Sequence, residues 1–437
     1  MSRTCEFKIT MTHWRPSLKK SKKESLLKQM FFIGGLGALA MNAYATDGYF
    51  SDGYGMKSKG MGGASMAMTD SAFAGANNPA TAAWAGNRID LGLDVFSPSR
   101  GVDRTGLGSV SSDSNTFYIP EFGYNKAIND QLGIGVSVYG NGGLNTDYPA
   151  GVIPANGCGP GAPASNLFCG GGRLGVDMSQ LIVAPTIAYK FNATSSVGIS
   201  PLLVEQIFKV DGLQAYGGFS SNAAALTNNG YDTSNGIGVR LGYFGKINDM
   251  LSVGASYAPK ISMSKFSKYA GLFADGGNFD IPENYAVGIS AKMSPDVVIA
   301  ADYQRINYAA VPSVGNPSNN AAPFGSPNGP GFGWSNIDIW KVGAQWQYSH
   351  ELALRAGIAV SGNPIQSRDA SLNILAPGVI TTQYTLGATY SLSDSTDLTV
   401  AYMNAPSNSV NGLNQSGGTD TIHMSQQSLG MQIEWKF

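Results

Sequence analysis

QQSLGMQIEWKF, residues 426–437, alternates residue by residue between two chemistries. Leu429, Met431, Ile433, Trp435 and Phe437 share one parity; Gly430, Gln432, Glu434 and Lys436 share the other. A β-strand points successive side chains to opposite faces, so one face here suits lipid and the other suits water. The period recurs at Leu132, Ile134, Val136 and Val138, and at Leu352, Leu354, Ala356, Ile358 and Val360. An edge strand of a soluble sandwich would read the same way locally, so composition has to arbitrate.

Charged residues are 13% of the chain, against about 25% in an ordinary soluble domain, and 57 of 437 residues are glycine. Mean hydropathy is only −0.06. A helical membrane protein would carry runs of 18 or more apolar residues, and the runs here are much shorter. A transmembrane β-barrel reconciles low charge with neutral hydropathy, because lipid-facing and lumen-facing residues average out.

Alternating segments fall near 88–100, 115–127, 131–142, 178–191, 195–210, 231–247, 250–266, 280–293, 296–309, 336–348, 351–361, 380–391, 396–404 and 422–437. Fourteen is an even number, as bacterial barrels require. Six connections are tight, at Ile128-Asn129-Asp130, Asn192-Ala193-Thr194, Asn248-Asp249, Ser294-Pro295, Ser349-His350 and Ser393-Asp394-Ser395. Seven are longer and rich in Gly, Asn, Pro and Ser, and the two classes alternate, as periplasmic turns and extracellular loops should. Both ends of residues 87–437 are then periplasmic.

Residues 1–45 read as a signal peptide with a long basic n-region. Lys19, Lys20, Lys22, Lys23 and Lys28 precede the short apolar stretch Met30–Met41, and Ala43-Tyr44-Ala45 offers small residues for cleavage before Thr46. A signal anchor is the alternative, and the length of the basic region is compatible with translation from Met11 or beyond. Removal of this segment takes away eight Lys/Arg and two Asp/Glu, leaving about −7 and no basic footprint for nucleic acid. Cys158 and Cys169 are the two cysteines that remain, in a Gly/Pro-rich loop, and in an oxidising compartment they are expected to form a disulfide; free thiols are the alternative. No His or second Cys pair lies near them, so no metal is expected, and no cofactor motif is visible.

Residues 46–86 are the odd stretch, beginning TDGYFSDGYGMKSKGMGGASMAMTDSAFAGANNPATAAW. They show no sustained period, and Gly-rich polar backbone has little apolar surface to repay the entropy of ordering. A tube of fourteen strands is wide enough to leak, and this segment is the natural filling. The other reading is a disordered periplasmic tail. With GMGGAS, Asp70 and the triplet Asn78, Pro79, Ala80, it resembles the hatch of FadL-type outer-membrane transporters, a family that includes TodX-like importers of aromatic hydrocarbons. The resemblance continues through APTIAYKF (184–191), GLFADGGNFDIPENYAVGIS (271–290), LALRAGIAVSGNPI (352–365) and the final aromatic.

That resemblance implies a 14-stranded antiparallel barrel with its hatch in the lumen, in the outer membrane of a Gram-negative bacterium. It also implies passive uptake of long-chain fatty acids or of aliphatic or aromatic hydrocarbons. Cargo is caught in a loop groove, held in the lumen, and released sideways through a gap at a kinked early strand after the hatch rearranges. The residues matching these roles are Tyr216, Phe219, Leu226, Tyr269, Leu272 and Phe273 for the groove and Gly133 and Gly135 for the lateral opening. Packing of the loops on each other, and of the strand on the hatch, would explain them equally. Arg240, Lys341 and Arg355 fall on inward parity, where each either meets a cargo carboxylate or pairs with Asp or Glu. Expected partners are hydrophobic small molecules, outer-membrane lipid and lipopolysaccharide, and the barrel-assembly machinery through Phe437; a monomer is expected. A general diffusion porin is the main alternative. An outer-membrane lipase is a weaker one, since His350 and His423 are the only histidines beyond residue 45 and neither has a triad around it.

Overall fold

The computed structural model describes residues 47–414 and 417–437. The expected targeting segment, 1–45, lies outside the described residues. The strands are β1 (Arg88–Arg104), β2 (Gly108–Ser111), β3 (Phe117–Ala127), β4 (Leu132–Tyr148), β5 (Leu174–Lys190), β6 (Ser195–Asp211), β7 (Asp232–Lys246), β8 (Leu251–Ala258), β9 (Asn284–Ser294), β10 (Val297–Ile306), β11 (Ile337–Gln347), β12 (Leu352–Ser361), β13 (Thr382–Ser393), β14 (Thr396–Leu413) and β15 (Thr419–Lys436).

From β3 onward each strand pairs with the next, and β1 pairs with β3 on one side and β15 on the other. The β1–β15 seam runs from Arg88↔Lys436 to Arg104↔Asp420 and closes the sheet on itself, which leaves no edge to template aggregation. β2 folds back only on Gly101–Arg104, so fourteen strands build the wall. On β15 Leu429, Met431 and Trp435 are exposed, as is Phe437 just past its end, while Gln432 and Glu434 between them are 1% exposed. Alternation thus sorts lipid face from lumen face. Among the described residues no helix is long and apolar enough to cross a membrane.

Tight turns gather at one end, where Asn129, Asn192 and Asn248 side chains each accept backbone N–H bonds two and three residues ahead. Long loops gather at the other end, with one departure from the sequence reading. The strands expected at 396–404 and 422–437 run on as the ladder Ala405–Leu413 against Thr419–Gln426, leaving only 414–418 between them. These Ser- and Asn-rich residues stand above the lipid, where a ladder needs no apolar face, and the register shifts beside Pro406, which cannot donate to a neighbour. In the other direction, β8 stops at Ala258 because Pro259 follows, short of the expected 266.

Residues 47–86 lie within this wall. They contain one helical turn, α1 (Met56–Lys59), and a 3-10 turn, Pro79–Ala83, and nearly all of their side chains are buried.

Candidate functional site

The lumen segment is held by bonds that radiate to almost every side of the wall. The Gly55 amide donates to Glu121 of β3, Met56 to Gln432 of β15, Gly62 to Thr385 of β13, Ser65 and Met66 both to Asp302 of β10, and Ala72 to Asp90 of β1. Only a chain inside the tube can reach all of them. Charge reinforces the bonds: Lys57 Nζ lies 2.9 Å from Glu434, and Lys59 Nζ lies 2.7 Å from Asp94 and 3.4 Å from Glu121. Glycine-rich backbone with few apolar side chains therefore orders by bonding to inward-facing acids of the wall, not by making a core of its own.

Asn78 works as a clip. Its Oδ1 caps the 3-10 turn by accepting from the Ala80 amide, while its Nδ2 donates to Met66 O within the segment and to Tyr243 O on β7, both at 2.8 Å. Pro79 starts the turn, and Ala80 O accepts from Ser196 on β6. Asp70 is flanked by Lys57, Arg355 and Arg88; burial alone would raise its carboxyl, but these cations outweigh it and hold it below the usual range. Asp52 goes the other way, pushed up to about 6 by burial, which Lys59 only partly offsets.

The three inward cations differ. Lys341 donates to Asp52 O at 2.7 Å and pairs with Asp47 at 3.0 Å. Arg355 reaches Asp70 at 4.0 Å and bonds Gln345 and Thr389. Arg240 is buried with no acidic partner among the described residues, and it bonds Gly75 O and the Tyr139 hydroxyl. It lines a small pocket shared with Tyr54, Asn284, Gln304 and Lys341.

The wall itself is divided between β3 and β4. Their ladder runs only from Ala127↔Gly133 to Phe122↔Val138. Above it, Phe117–Glu121 continue their ladder with β1, while β4 from Tyr139 to Thr146 is buried on both faces, so it has bent into the lumen. A register shift against β5 between Gly140 and Gly142 marks the bend. At the top the gap is shut again by the Asp113 amide donating to Asp147 O and by Arg173 bridging Asp113 and Asp147. Gly133 and Gly135 sit below the gap, in the paired part of the ladder; a Cβ at Gly133 would overlap the Ala82 carbonyl, so there the wall touches the lumen segment backbone to backbone. Just inside the gap is a small, largely apolar pocket lined by Phe96, Arg100, Leu144, Pro377 and Met424.

The chain matches the family model described as outer membrane protein transport protein (OMPP1/FadL/TodX) over residues 43–437. The chain belongs to this family. It is an outer-membrane barrel of a Gram-negative bacterium, and the family is one of transport proteins. Among solved structures it is similar to the P. putida toluene transporter TodX (19% identity, 88% of this chain and 99% of that one, TM-score 0.66). It is likewise similar to the Ralstonia pickettii toluene transporter TbuX (21%, 88% and 99%, TM-score 0.62) and to a Pseudomonas aeruginosa FadL homologue (16%, 89% and 100%, TM-score 0.66). At these identities the likeness is one of fold. A comparison with curated protein sequences finds no match.

In this OMPP1/FadL/TodX-family chain the loop aromatics lie close together but not in an open groove. Leu226, Tyr269 and Phe273 are buried, Tyr216 and Leu272 are partly covered, and Phe219 is 68% exposed. Tyr269 and Phe273 pack on Phe208, and Tyr216 lies between Phe168 and Phe324. From Phe273 the ring contacts pass through Phe279 to Tyr49, Tyr308 and Trp334, joining the loops to the start of the lumen segment. The sulfurs of Cys158 and Cys169 are bonded, cinching the 149–173 loop beside buried Leu167 and Phe168. Phe279 stands in the loop sequence beside Phe273, whereas sequence reading missed Phe208, Tyr308 and Trp334, although the density of aromatics in 307–336 was a usable signal. It also missed the acids Asp94, Glu121, Asp302 and Glu434, which inward parity alone would have singled out.

Proposed function

We propose that this protein takes up hydrophobic compounds, long-chain fatty acids or aliphatic or aromatic hydrocarbons, passively across the outer membrane. The observation that carries the reading is the gap between β3 and β4, bordered on the inside by an apolar cavity and by the lumen segment. Unpaired strand edges at membrane depth are costly, each unsatisfied group amounting to several kcal/mol. A wall split in this way is maintained for a use. Cargo would enter among the loop aromatics Tyr216, Phe219, Leu226, Tyr269, Leu272 and Phe273, pass to the cavity at Phe96 and Leu144, and leave sideways into the outer leaflet as residues 47–86, acting as a hatch, shift. Gly133 and Gly135 serve this route as the hinge below the gap: a Cβ at Gly133 would meet the hatch backbone at Ala82, and one at Gly135 the Tyr124 carbonyl of β3. Arg240 and Arg100 are the cations that a carboxylated cargo would meet first. Two relatives of like fold are toluene transporters by name, which supports the hydrocarbon branch.

Uptake of a labelled fatty acid, an alkane and an alkylbenzene by cells with and without this protein tests the reading. At least one should enter several-fold faster with it. Equal rates for all three, together with a large steady ion current from the purified protein in planar bilayers, would turn the assignment to a diffusion porin.

A further inference from the structure

On the outside of the wall, at the long-loop end, four strands carry one row of facing side chains. Tyr257 of β8 stands opposite Tyr285 of β9, Tyr285 opposite Arg305 of β10, and Arg305 opposite Asp338 of β11. All four have outward parity: on the same strands Ala286, Ala300 and Ile339 are buried on the lumen side, while Val287, Ile299, Trp340 and Val342, lower on the outer face, are exposed. Charge on the outer face is tolerated only near the interfaces, so this row lies where the hydrocarbon ends and the headgroups of the outer leaflet begin.

The charged groups of the row are fastened in place. Tyr257 Oη donates to Glu283 at 2.7 Å, and Asn307 Nδ2 donates to the other oxygen of Glu283 at 2.8 Å. Arg305 Nε donates to Asn307 Oδ1 at 3.2 Å, and its Nη1 to both oxygens of Asp338 at 2.8 Å. Tyr303 Oη donates to Asp338 at 2.6 Å. Two of the three guanidinium nitrogens are thus committed, and Nη2 donates to none of the described residues. A pinned guanidinium with one nitrogen to spare is a donor already aimed at an oxyanion, and phosphate matches its geometry. Because Glu283, Arg305 and Asp338 together net one negative charge, an anion is held there by this directed donor and not by bulk attraction. Acceptors flank it: an ionised carboxylate takes about four bonds, and neither Glu283 nor Asp338 has all of its places filled. Beside Asp338 the Trp340 ring packs on Tyr303 at 4.9 Å and is 62% exposed. Beyond Asp338 the Gly362 amide bonds the Asp338 carbonyl, and nothing stands within 4 Å of where a Cβ of Gly362 would be, so the shelf is open.

We propose that this row seats the headgroup of a phosphorylated glycolipid of the outer leaflet, with a phosphate on Arg305 Nη2, sugar hydroxyls on Glu283 and Asp338, and a sugar ring against Trp340. The occupant is a lipid because the row is continuous with the lipid-facing belt beneath it, where acyl chains fall on Val287, Ile299 and Val342. An indole at this depth offers an apolar face with one wet edge, as such a headgroup needs. The seat is separate from the cargo's route, since it lies on the outer face of strands other than β3 and β4.

Native mass spectrometry of the full chain in neutral detergent, with diphosphoryl lipid A or phosphatidylglycerol added, tests the seat. The parent should hold one lipid A, and Arg305→Gln should weaken that binding about tenfold, the worth of one charge-assisted bond. Lipid A stripped of its phosphates should bind the parent as weakly as intact lipid A binds Arg305→Gln. Tyr384→Leu, at an exposed outward position on β13, should change nothing. Heat-modifiable gel mobility identifies the folded barrels to be scored, and the stripped-lipid comparison needs no variant, so it decides the matter even if Arg305→Gln does not fold. Equal binding of intact and stripped lipid A by the parent, or equal weakening by Arg305→Gln and Tyr384→Leu, would overturn the proposal. So would phosphatidylglycerol held as tightly as lipid A, which would make the row an ordinary headgroup contact.

Discussion

Lys59 answers to two carboxylates at once. With Asp94 at 2.7 Å and Glu121 at 3.4 Å, all three nearly inaccessible, the triad nets one negative charge and persists by mutual bonding. Lys59→Met should cost about 3–5 kcal/mol, because it strands two buried acids, and denaturant melting of the lumen segment followed by hydrogen exchange would read it. Asp52 makes the opposite prediction. Its carboxyl is raised from an ordinary 3.8 to about 6, so ionising it costs the folded state more than the unfolded one. The penalty is absent below about pH 4, grows as pH rises towards 6 and is fully present at pH 7. Asp52→Asn should accordingly stabilise the segment by about 2 kcal/mol at pH 7 and leave it unchanged at pH 4. Equal gains at both pH values would show that the carboxylate is not the source of strain. Tyr308→Phe removes the hydroxyl that accepts from the Tyr49 amide and donates to Asp47 O, which should cost about 1–3 kcal/mol locally. Amides 47–51 should then exchange faster while those of the β1–β15 seam do not.

At the scale of elements, two stretches of irregular chain are fixed by different means. The 3-10 turn Pro79–Ala83 has a local cap in Asn78, and the same side chain ties it to β7. The 149–173 loop has the Cys158–Cys169 bond, which closes a short loop and by chain entropy contributes about 2–3 kcal/mol. Replacing both cysteines by serine should leave gel mobility of the folded barrel unchanged while opening residues 150–165 to added protease. A barrel that fails to fold without the bond would show that the loop does more than cap. The β3–β4 gap is an element-level feature as well, since no single residue makes it. It needs the register shift at Gly140–Gly142, the brace of Asp113, Asp147 and Arg173 above, and a substitute partner for β4 within.

For the molecule as a whole, closure and filling are the two conditions of stability. Closure is the β1–β15 seam, on whose outer face Leu429 stands 52% exposed to lipid between Val95 and Tyr402. Leu429→Arg should cost up to about 2–4 kcal/mol, falling off with distance from the bilayer midplane, whereas Gly430, two faces removed, already packs on the lumen segment. Refolding yield into detergent micelles at graded urea checks this. Filling comes from residues 47–86, whose amides and lysines bond to acids of the inner wall. The tube and its contents thus stabilise each other, and neither half is a separate folding unit in energetic terms.

Period-two alternation was enough to read fourteen crossings, their inward and outward faces and the sorting of connections into turns and loops, because a strand's chemistry is written on neighbours in sequence. The inward direction of Arg240, Lys341 and Arg355 followed from the same parity. What the inward residues meet did not, since Lys341 bonds Asp47 and Asp52 from nearly three hundred residues away, and Arg355 meets Asp70 across the lumen. The loop aromatics were legible as a set, but their closure onto Phe208, Phe279 and Tyr49 depends on loops that converge only once the wall has curved. The glycines of β4 are visible in the sequence, and only the fold decided where that strand turns inward. At that point β4 bonds residues 49–51 in the lumen, partners that the linear chain keeps far apart.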